Sequence, residues 1–237
     1  MKLTHALFTQ GFGTRRECDG LVLSGHVQIE GRVCDDPAAT VDPAGLVLHV
    51  QGRPWPYHER ALVLLHKPVG YECSQKPGAW PSVLSLLPAP LRRRGVQPVG
   101  RLDQDTTGLL LLTDDGALLH KFTSPKHHVA KVYEARCAEP LQPGQLQHLL
   151  DGVVLDDDPQ PVRAQACEAI DAHTLRLTLT QGKYHQVKRM LAAAGAHVAA
   201  LHRSAFGALQ LPPDLAPGQW RWLPGPQAVW PAATPHP

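Results

Sequence analysis

The chain has 237 residues, of which 43% are hydrophobic, so it can form one large domain or two small ones with a substantial core. A net charge of +2 gives weak support for a nucleic-acid partner, and five widely spaced cysteines do not indicate a disulfide framework or a zinc knuckle. No stretch reaches the roughly 18 apolar residues of a membrane span, and the first residues do not resemble a secretory signal, so we expect a cytoplasmic protein that does not enter a membrane.

Residues 1–50 are predicted to form a compact module of two helices and a strand pair. The first helix begins near Leu3, and Thr14 is positioned to cap the second. Residues 25–33 then alternate between apolar and polar positions around a glycine, as expected for two short strands joined by a turn. Residues 51–60 contain one glycine and two prolines, so we interpret them as a linker.

Residues 61–230 are predicted to form a second domain in which strands and helices alternate. Predicted strands cover residues 61–67, 109–112, 129–137, 162–170, 173–180 and 196–206. Predicted helices cover residues 83–87, 115–122, 142–150 and 184–194. The last seven residues, 231–237, are predicted to be a disordered tail.

A charged triplet, Arg101-Leu102-Asp103, stands just before an unbroken run of four leucines at residues 109–112. The run predicts a buried strand, so the chain enters the core soon after a guanidinium and a carboxylate. A carboxylate costs several kcal/mol to bury unless it is paired. Asp103 therefore requires a nearby cation or a catalytic role.

Basic residues gather toward the C terminus. From residue 181 onward there are five lysines and arginines against one acid. On the predicted helix, His185, Lys188 and Arg189 share one face, and apolar residues form the adjacent stripe. Basic residues clustered in this way are typical of surfaces that contact phosphates.

Three segments that lie far apart resemble, in the same order, the motifs of the pseudouridine synthases that modify single uridines of ribosomal RNA. The segments are Arg101-Leu102-Asp103, Lys131-Val132-Tyr133 and residues 179–190. Within that family the resemblance is closest to the RsuA type, which acts on small-subunit (16S) rRNA, and it extends from about residue 61 to residue 223. The order of elements in residues 1–50 is similar to the S4-type (α-L) RNA-binding module.

The resemblance implies an α+β fold, with an S4-like module before a catalytic domain that has a mixed, largely antiparallel central sheet. It also implies the isomerisation of uridine to pseudouridine. Because that reaction loses no atoms, no cofactor is expected. No metal is expected either, since the sequence has no His-Glu-x-x-His motif and His127 and His128 stand beside no carboxylate cluster. The expected partner is 16S rRNA or a small-subunit assembly intermediate, bound by a monomer.

The family motifs further imply roles for individual residues. Asp103 is the expected nucleophile, Lys188 its ion-pair partner, and Tyr133 the residue that stacks on the flipped base and is a candidate to assist proton transfer. Arg101 is expected to fill the space that the base leaves. Further expected substrate contacts are Leu179, Lys183, His185, Arg189 and Arg203, with Arg15 and Arg16 in the S4-like module. Whether Asp103 attacks the ribose or the uracil ring stays open.

The neighbouring acids admit another interpretation. Asp103 and Asp105 would share a face in a strand, as in a two-carboxylate hydrolase. We favour instead a loop in which Asp105 binds backbone amides or the threonines that follow it. Asp114 or Asp115 is expected to cap the next helix.

Three alternative functions remain open from the sequence. The first is a pseudouridine synthase that acts on large-subunit (23S) rRNA. The second is a non-catalytic RNA-binding factor in ribosome assembly, although such a factor has no use for an acid facing phosphates. The third is a metal-dependent hydrolase with Asp103, Asp105, His127 and His128 as ligands.

Overall fold

The computed structural model describes residues 1–230, and the chain divides into two compact units. Unit 1 contains residues 1–61 and 87–97, and unit 2 contains residues 62–86 and those from 98 onward. The predicted tail at 231–237 lies outside the described residues.

The helices and strands are defined as follows. The α-helices are α1 (Leu3–Thr9), α2 (Arg15–Leu23), α3 (Ala89–Arg93), α4 (Gly116–Thr123), α5 (Gln145–Asp151) and α6 (Gln186–Ala193). The strands are β1 (Val27–Ile29), β2 (Arg32–Val33), β3 (Val47–Val50), β4 (Arg53–Pro56), β5 (Leu62–Lys67), β6 (Gln97–Pro98), β7 (Thr106–Thr113), β8 (Lys131–Cys137), β9 (Val153–Leu155), β10 (Asp158–Val162), β11 (Ala166–Ala169), β12 (Thr174–Leu179), β13 (Val198–Phe206), β14 (Leu209–Gln210) and β15 (Trp220–Trp222).

Unit 1 begins with the two predicted helices and the predicted strand pair. The Thr14 side chain accepts a hydrogen bond from the Glu17 amide, and the Glu17 carboxylate accepts one from the Thr14 amide. This reciprocal arrangement satisfies two amides that the first turn of a helix leaves unpaired, so the predicted cap of α2 is confirmed. Strands β1 and β2 pair antiparallel, and β3 and β4 extend them into a sheet of order β2-β1-β3-β4.

Two segments of unit 1 differ from the sequence interpretation. Strand β4 lies within residues 51–60, which proline and glycine suggested to be a linker. It is an edge strand, where prolines are tolerated, and its Trp55 is only 7% exposed and donates a hydrogen bond to Gln10. Helix α3, from the stretch assigned to the second domain, also belongs to unit 1, where Leu91 is buried and Arg94 donates to Gln10.

Unit 2 is built on a mixed sheet. Along the described chain its strands run in the order β11-β12-β8-β13-β7-β5-β15, with β14 beside β13. The β13–β7 pair is parallel, whereas the other neighbours on this path pair antiparallel. The expected mixed, largely antiparallel sheet is therefore confirmed. The predicted leucine run forms the centre of β7 and is fully buried.

Gly108 allows strands β7 and β13 to approach closely. It has φ +109°, and a Cβ atom at this position would lie 2.2 Å from the Arg203 carbonyl oxygen. Only glycine tolerates both the backbone conformation and the contact. The close register pairs Arg203 with Gly108, so Arg203 lies beside the start of β7 and the loop that precedes it.

The remaining elements of unit 2 follow the predicted order, with short strands in addition, among them β14. Residues 153–162 form the β9–β10 hairpin, and residues 220–222 form β15 against β5. Asp115 accepts hydrogen bonds from the amides of Ala117 and Leu118, so the predicted cap of α4 is confirmed. Helix α4 then packs Phe122 into the core against Phe206.

Candidate active site

A cavity of about 160 Å³ opens in unit 2 between the loop before β7 and the start of α6. Strands β8, β12 and β13 supply its floor through Tyr133, Leu179 and Arg203. The loop contributes Arg101 and Asp103 to its wall. Three segments that are distant in sequence therefore meet around one concave space, which is the usual form of a small-ligand site.

Asp103 is held by two basic groups from the α6 segment. Its Oδ2 lies 3.1 Å from Lys188 Nζ, and its Oδ1 lies 3.2 Å from His185 Nε2. The side chain is 26% exposed, so it is accessible from the cavity as well as paired. The ion pair that the sequence predicts between Asp103 and Lys188 is present.

Lys188 also binds Asp105, which the sequence interpretation did not anticipate. Its ammonium donates to both Asp105 oxygens, at 2.6 and 2.9 Å. Burial acts to raise the pKa of Asp105, but the hydrogen bond and charge of Lys188 outweigh it and lower that pKa. Burial likewise acts to lower the pKa of Lys188, but its bonds to Asp105 and Asp103 raise that pKa above the ordinary value.

This finding corrects the expected surroundings of Asp105. Its side chain turns toward Lys188 and not toward the threonines at the start of β7. Residues 103–105 form a turn and not a strand, so the shared strand face required by the two-carboxylate interpretation does not exist. The two acids are instead brought together by one cation.

The local fold of α6 explains how Lys188 reaches the loop. The helix buries Val187, Met190 and Leu191, which form the apolar stripe expected from the sequence. Lys188 lies on the adjacent face. His185 precedes the helix with φ 45°, a left-handed conformation that is uncommon outside glycine and that accompanies its contact with Asp103.

Tyr133 and Leu179 lie in the floor of the cavity, as the sequence predicted. They are 9% and 2% exposed. Strand β8 pairs Tyr133 with Arg203 of β13 on one side, and Lys131 with Leu179 of β12 on the other. Because alternate residues of a strand share a face, Lys131 and Tyr133 point the same way into the cavity.

Arg203 is more deeply placed than its predicted contact with phosphates or the cavity rim suggested. It is 2% exposed, and its Nε donates to the Leu109 carbonyl at 2.8 Å. Lys131, which the sequence placed in a motif without assigning it a role, also lines the cavity. Burial, followed by the charge of Arg203, lowers the pKa of Lys131 to about 8.

The other predicted contacts take different positions. Lys183 lines the cavity, and Arg101 is exposed at its mouth. Arg189 is bound by the Asp157 carboxylate and the Tyr184 carbonyl, so it lies outside the cavity. Arg15 and Arg16 belong to unit 1, where both are exposed on α2.

Lys67 supports the Asp103 loop and was missed by the sequence analysis. It is fully buried, and its ammonium donates to the carbonyls of Pro68, Gln104 and Thr106. Burial lowers its pKa, against the opposing charges of the acids in the loop. The available signal was a lysine followed by proline at the end of a buried strand, a position that ordinarily reaches solvent.

The sequence also led to expectations about metal ions and about membrane spans. Within residues 1–230, no group of three or more histidine, cysteine or acidic side chains is arranged to hold a metal ion. His127 and His128 do not line the cavity with Asp103. No helix in the described part of the chain has the length and apolar character needed to cross a membrane.

Comparison with known proteins identifies two family models along the chain. Residues 61–193 match the family model described as RNA pseudouridylate synthase, and residues 1–47 match the S4 domain. Ribosomal small subunit pseudouridine synthase A of Escherichia coli (strain K12) is 38% identical over 216 residues, covering 90% of this chain and 93% of that protein. The protein of the same name from Pasteurella multocida (strain Pm70) is 37% identical, covering 89% of this chain and 90% of that protein. A crystal structure of a pseudouridylate synthase is 31% identical with a TM-score of 0.66, covering 94% of this chain and 96% of that one.

Proposed function

The chain belongs to the RNA pseudouridylate synthase family, and we propose that it converts one specific uridine of 16S ribosomal RNA to pseudouridine. Two relatives named for the ribosomal small subunit, each covered over about nine-tenths of its length, support this substrate. The RNA is either free 16S rRNA or a small-subunit assembly intermediate, and the protein acts on it as a monomer in the cytoplasm.

The observation that carries the proposed mechanism is the Asp103–Lys188 pair in the wall of a cavity floored by Tyr133 and Leu179. A carboxylate that attacks a substrate must be ionised and accessible. Lys188 balances its charge, and the 26% exposure leaves one side open to the cavity. We assign Asp103 as the nucleophile and Lys188 as its ion-pair partner.

The target base has to leave its helix to reach this cavity. Extruding a base costs a few kcal/mol, which contacts in the pocket must offset. Tyr133 stacks on the extruded uracil, and Leu179 packs on it from the same floor. Base–aromatic stacking contributes about 1–3 kcal/mol, which helps to offset the cost of extrusion. Arg101, exposed at the cavity mouth, occupies the space that the base leaves.

The remaining basic residues position the RNA around the cavity. Lys183 and His185 lie at its edge, and Arg189 lies beside them on α6. Arg15 and Arg16 give the S4 domain two exposed cations for phosphate contact. The reaction is an isomerisation in which the C1′–N1 bond is replaced by a C1′–C5 bond, so the proposed mechanism uses no cofactor.

The decisive experiment is a pseudouridine map of 16S and 23S rRNA from cells that lack this chain. The deletion is complemented with wild type, with Asp103→Asn, or with Asp151→Asn as a matched control at an exposed carboxylate. We expect one 16S site to disappear and to return with wild type and the control but not with Asp103→Asn. Loss of a 23S site instead would overturn the proposal that 16S rRNA is the substrate, and the proposed reaction would stand.

The same experiment tests the non-catalytic alternative. A ribosome-assembly factor binds RNA without changing it, so either the map would show no lost site or Asp103→Asn would restore a lost one. That result would overturn the assignment of Asp103 as nucleophile. Activity of the purified enzyme that survives a chelator would exclude the metal-dependent hydrolase.

A further inference from the structure

Two cations that have no carboxylate partner among the described residues lie on neighbouring strands and line the cavity. Arg203 of β13 and Lys131 of β8 both line it. Arg203 Nη2 is buried and has no hydrogen-bond partner among the described residues. The Lys131 ammonium donates to the Val129 carbonyl at 2.9 Å, which leaves its other hydrogens free for a ligand.

The cavity does not supply an anion to these cations. Asp103 is the one acid among the described residues that line it, and its oxygens face Lys188 and His185. A buried donor without a partner costs about 1–3 kcal/mol, and more when it is charged. A substrate that accepts hydrogen bonds from these donors would remove that cost. The cavity is therefore suited to a hydrogen-bond acceptor that carries negative charge during the reaction.

The chemistry of the reaction provides that charge. When the C1′–N1 bond breaks, its electron pair stays on N1 and is shared with the O2 and O4 carbonyls of uracil. Where Asp103 has taken the place of the base at C1′, the C1′–C5 bond forms as the bond between Asp103 and C1′ breaks, which restores the carboxylate. The C5 proton departs and N1 takes up a proton, so atoms and electrons balance without another reactant. If Asp103 instead adds to the uracil ring first, the electrons it displaces also collect on a ring carbonyl.

We propose that Lys131 and Arg203 are catalytic residues that stabilise the negative charge on the uracil ring while it is detached from the ribose. The inference rests on the proposed function, which puts the target uridine in this cavity. Both cations are fixed before the reaction, Arg203 by the Leu109 carbonyl and Lys131 by Val129. Donors fixed in advance where charge develops contribute strongly to catalysis, because they need not reorganise during the reaction.

The geometry favours the base over a backbone phosphate as the bound group. Arg203 is 2% exposed, whereas the phosphates of the RNA remain outside the cavity when a base enters it. The cavity measures about 160 Å³, and a cavity of about 150 Å³ accommodates one benzene ring. A phosphate also carries its charge before and after the reaction, so it would affect binding and not the chemical step.

The test compares two leaving groups in single-turnover reactions. The substrate is a synthetic RNA spanning the uridine identified by the map, with either uridine or 5-fluorouridine at the target position. Fluorine withdraws electrons and stabilises the ring anion, so cleavage of the 5-fluorouridine bond requires less help from the protein. Cleavage is measured as loss of the intact nucleoside after digestion, by mass spectrometry.

We expect Lys131→Gln to slow cleavage at uridine by about 100-fold or more, as loss of a charge-stabilising donor does. Cleavage at 5-fluorouridine should slow much less, and the enzyme concentration that gives half-maximal rate should not change. Lys131→Arg should retain most of the rate. Lys121→Gln, an exposed lysine of α4, is the matched control and should behave as wild type with both substrates.

Three results would overturn the inference while leaving the proposed function standing. They are an unchanged uridine rate, an equal loss with both substrates, and a loss confined to the half-saturating concentration, which would indicate a phosphate contact. Arg203→Lys, checked by a thermal melt, provides a second arm because it keeps the charge at the buried position. If folded wild type modifies neither 16S nor 23S RNA, the proposed function itself fails and the inference fails with it.

Discussion

The ammonium group of Lys188 lies closer to Asp105 than to Asp103, at 2.6 Å from one and 3.1 Å from the other. One cation therefore serves two carboxylates, and the shorter contact is with Asp105, which does not line the cavity. Lys188 offsets the charge of Asp103 through one of its oxygens, and His185 contacts the other. Asp105 thereby acts as a positioning residue for Lys188.

The first prediction concerns Asp105→Asn. Lys188 released from Asp105 should bind Asp103 more tightly, which makes the carboxylate a weaker nucleophile. We expect kcat to fall about tenfold with little change in KM, because the affected interaction matters mainly in the transition state. Lys188→Met should cost more, about 100-fold, since it leaves two carboxylates close together without a cation. If Asp105→Asn were as inactive as Asp103→Asn, Asp105 would have to take part directly in the reaction.

The second prediction separates two roles of Tyr133. Tyr133→Phe keeps the ring and removes only the hydroxyl, so stacking on the base should survive. Tyr133→Ala removes stacking that contributes about 1–3 kcal/mol, equivalent to a factor of about 5 to 150. If the ring alone matters, steady-state kinetics will show near wild-type values for the phenylalanine variant. A large loss of kcat in that variant would instead assign proton transfer to the hydroxyl.

The main outline of the site was predictable because the family resemblance implies which residues meet and local patterns place them on their elements. The apolar stripe of α6 fixes which face of the helix is buried, and Lys188 then lies on the free face. The leucine run fixes β7 as a buried strand, and the loop with Asp103 precedes it. The Asp105–Lys188 bond was not predictable, since it joins residues 83 positions apart and depends on how the loop turns.

The depth of Arg203 was missed for a different reason. Charged side chains are seldom fully buried, so a basic residue near the C terminus is naturally interpreted as a surface contact. The pairing of β13 with β8 and β7 sets Arg203 opposite Tyr133 and Gly108. This pairing, which the sequence does not reveal, places the guanidinium in the floor of the cavity. Strand β15 was missed because tryptophan and proline around it suggested irregular structure, and pairing with β5 decides its conformation.

The third prediction is a pH dependence that follows from Lys131. Its pKa is lowered to about 8, and it must be protonated to stabilise an anion. The rate of the chemical step should therefore fall as pH rises through about 8, by about tenfold at one pH unit above the pKa. The other charged or titratable groups that line the cavity are Arg203 on β13, Tyr133 on its own strand, Arg101 and Asp103 in the loop, Lys188 on α6, and Lys183 and His185 just before that helix.

Lys131→Arg is the control for this pH dependence. A guanidinium stays protonated throughout the accessible range, so the decline near pH 8 should disappear in single-turnover rates. Arg203 keeps its charge in both proteins and cannot produce the decline. If the decline persisted in the Lys131→Arg variant, another group, such as the Tyr133 hydroxyl, would be responsible for it.

The fourth prediction tests the close contact that places Arg203. Gly108→Ala would put a Cβ atom 2.2 Å from the Arg203 carbonyl at φ +109°, so β7 and β13 must separate. We expect a loss of about 2 kcal/mol or more of stability, a drop of several degrees in Tm, and reduced activity because Arg203 moves. Gly116→Ala is the matched control, because it meets no atom within 4 Å and begins α4, where alanine favours helix. Equal melting temperatures for the two variants would show that the strand contact does not set the position of Arg203.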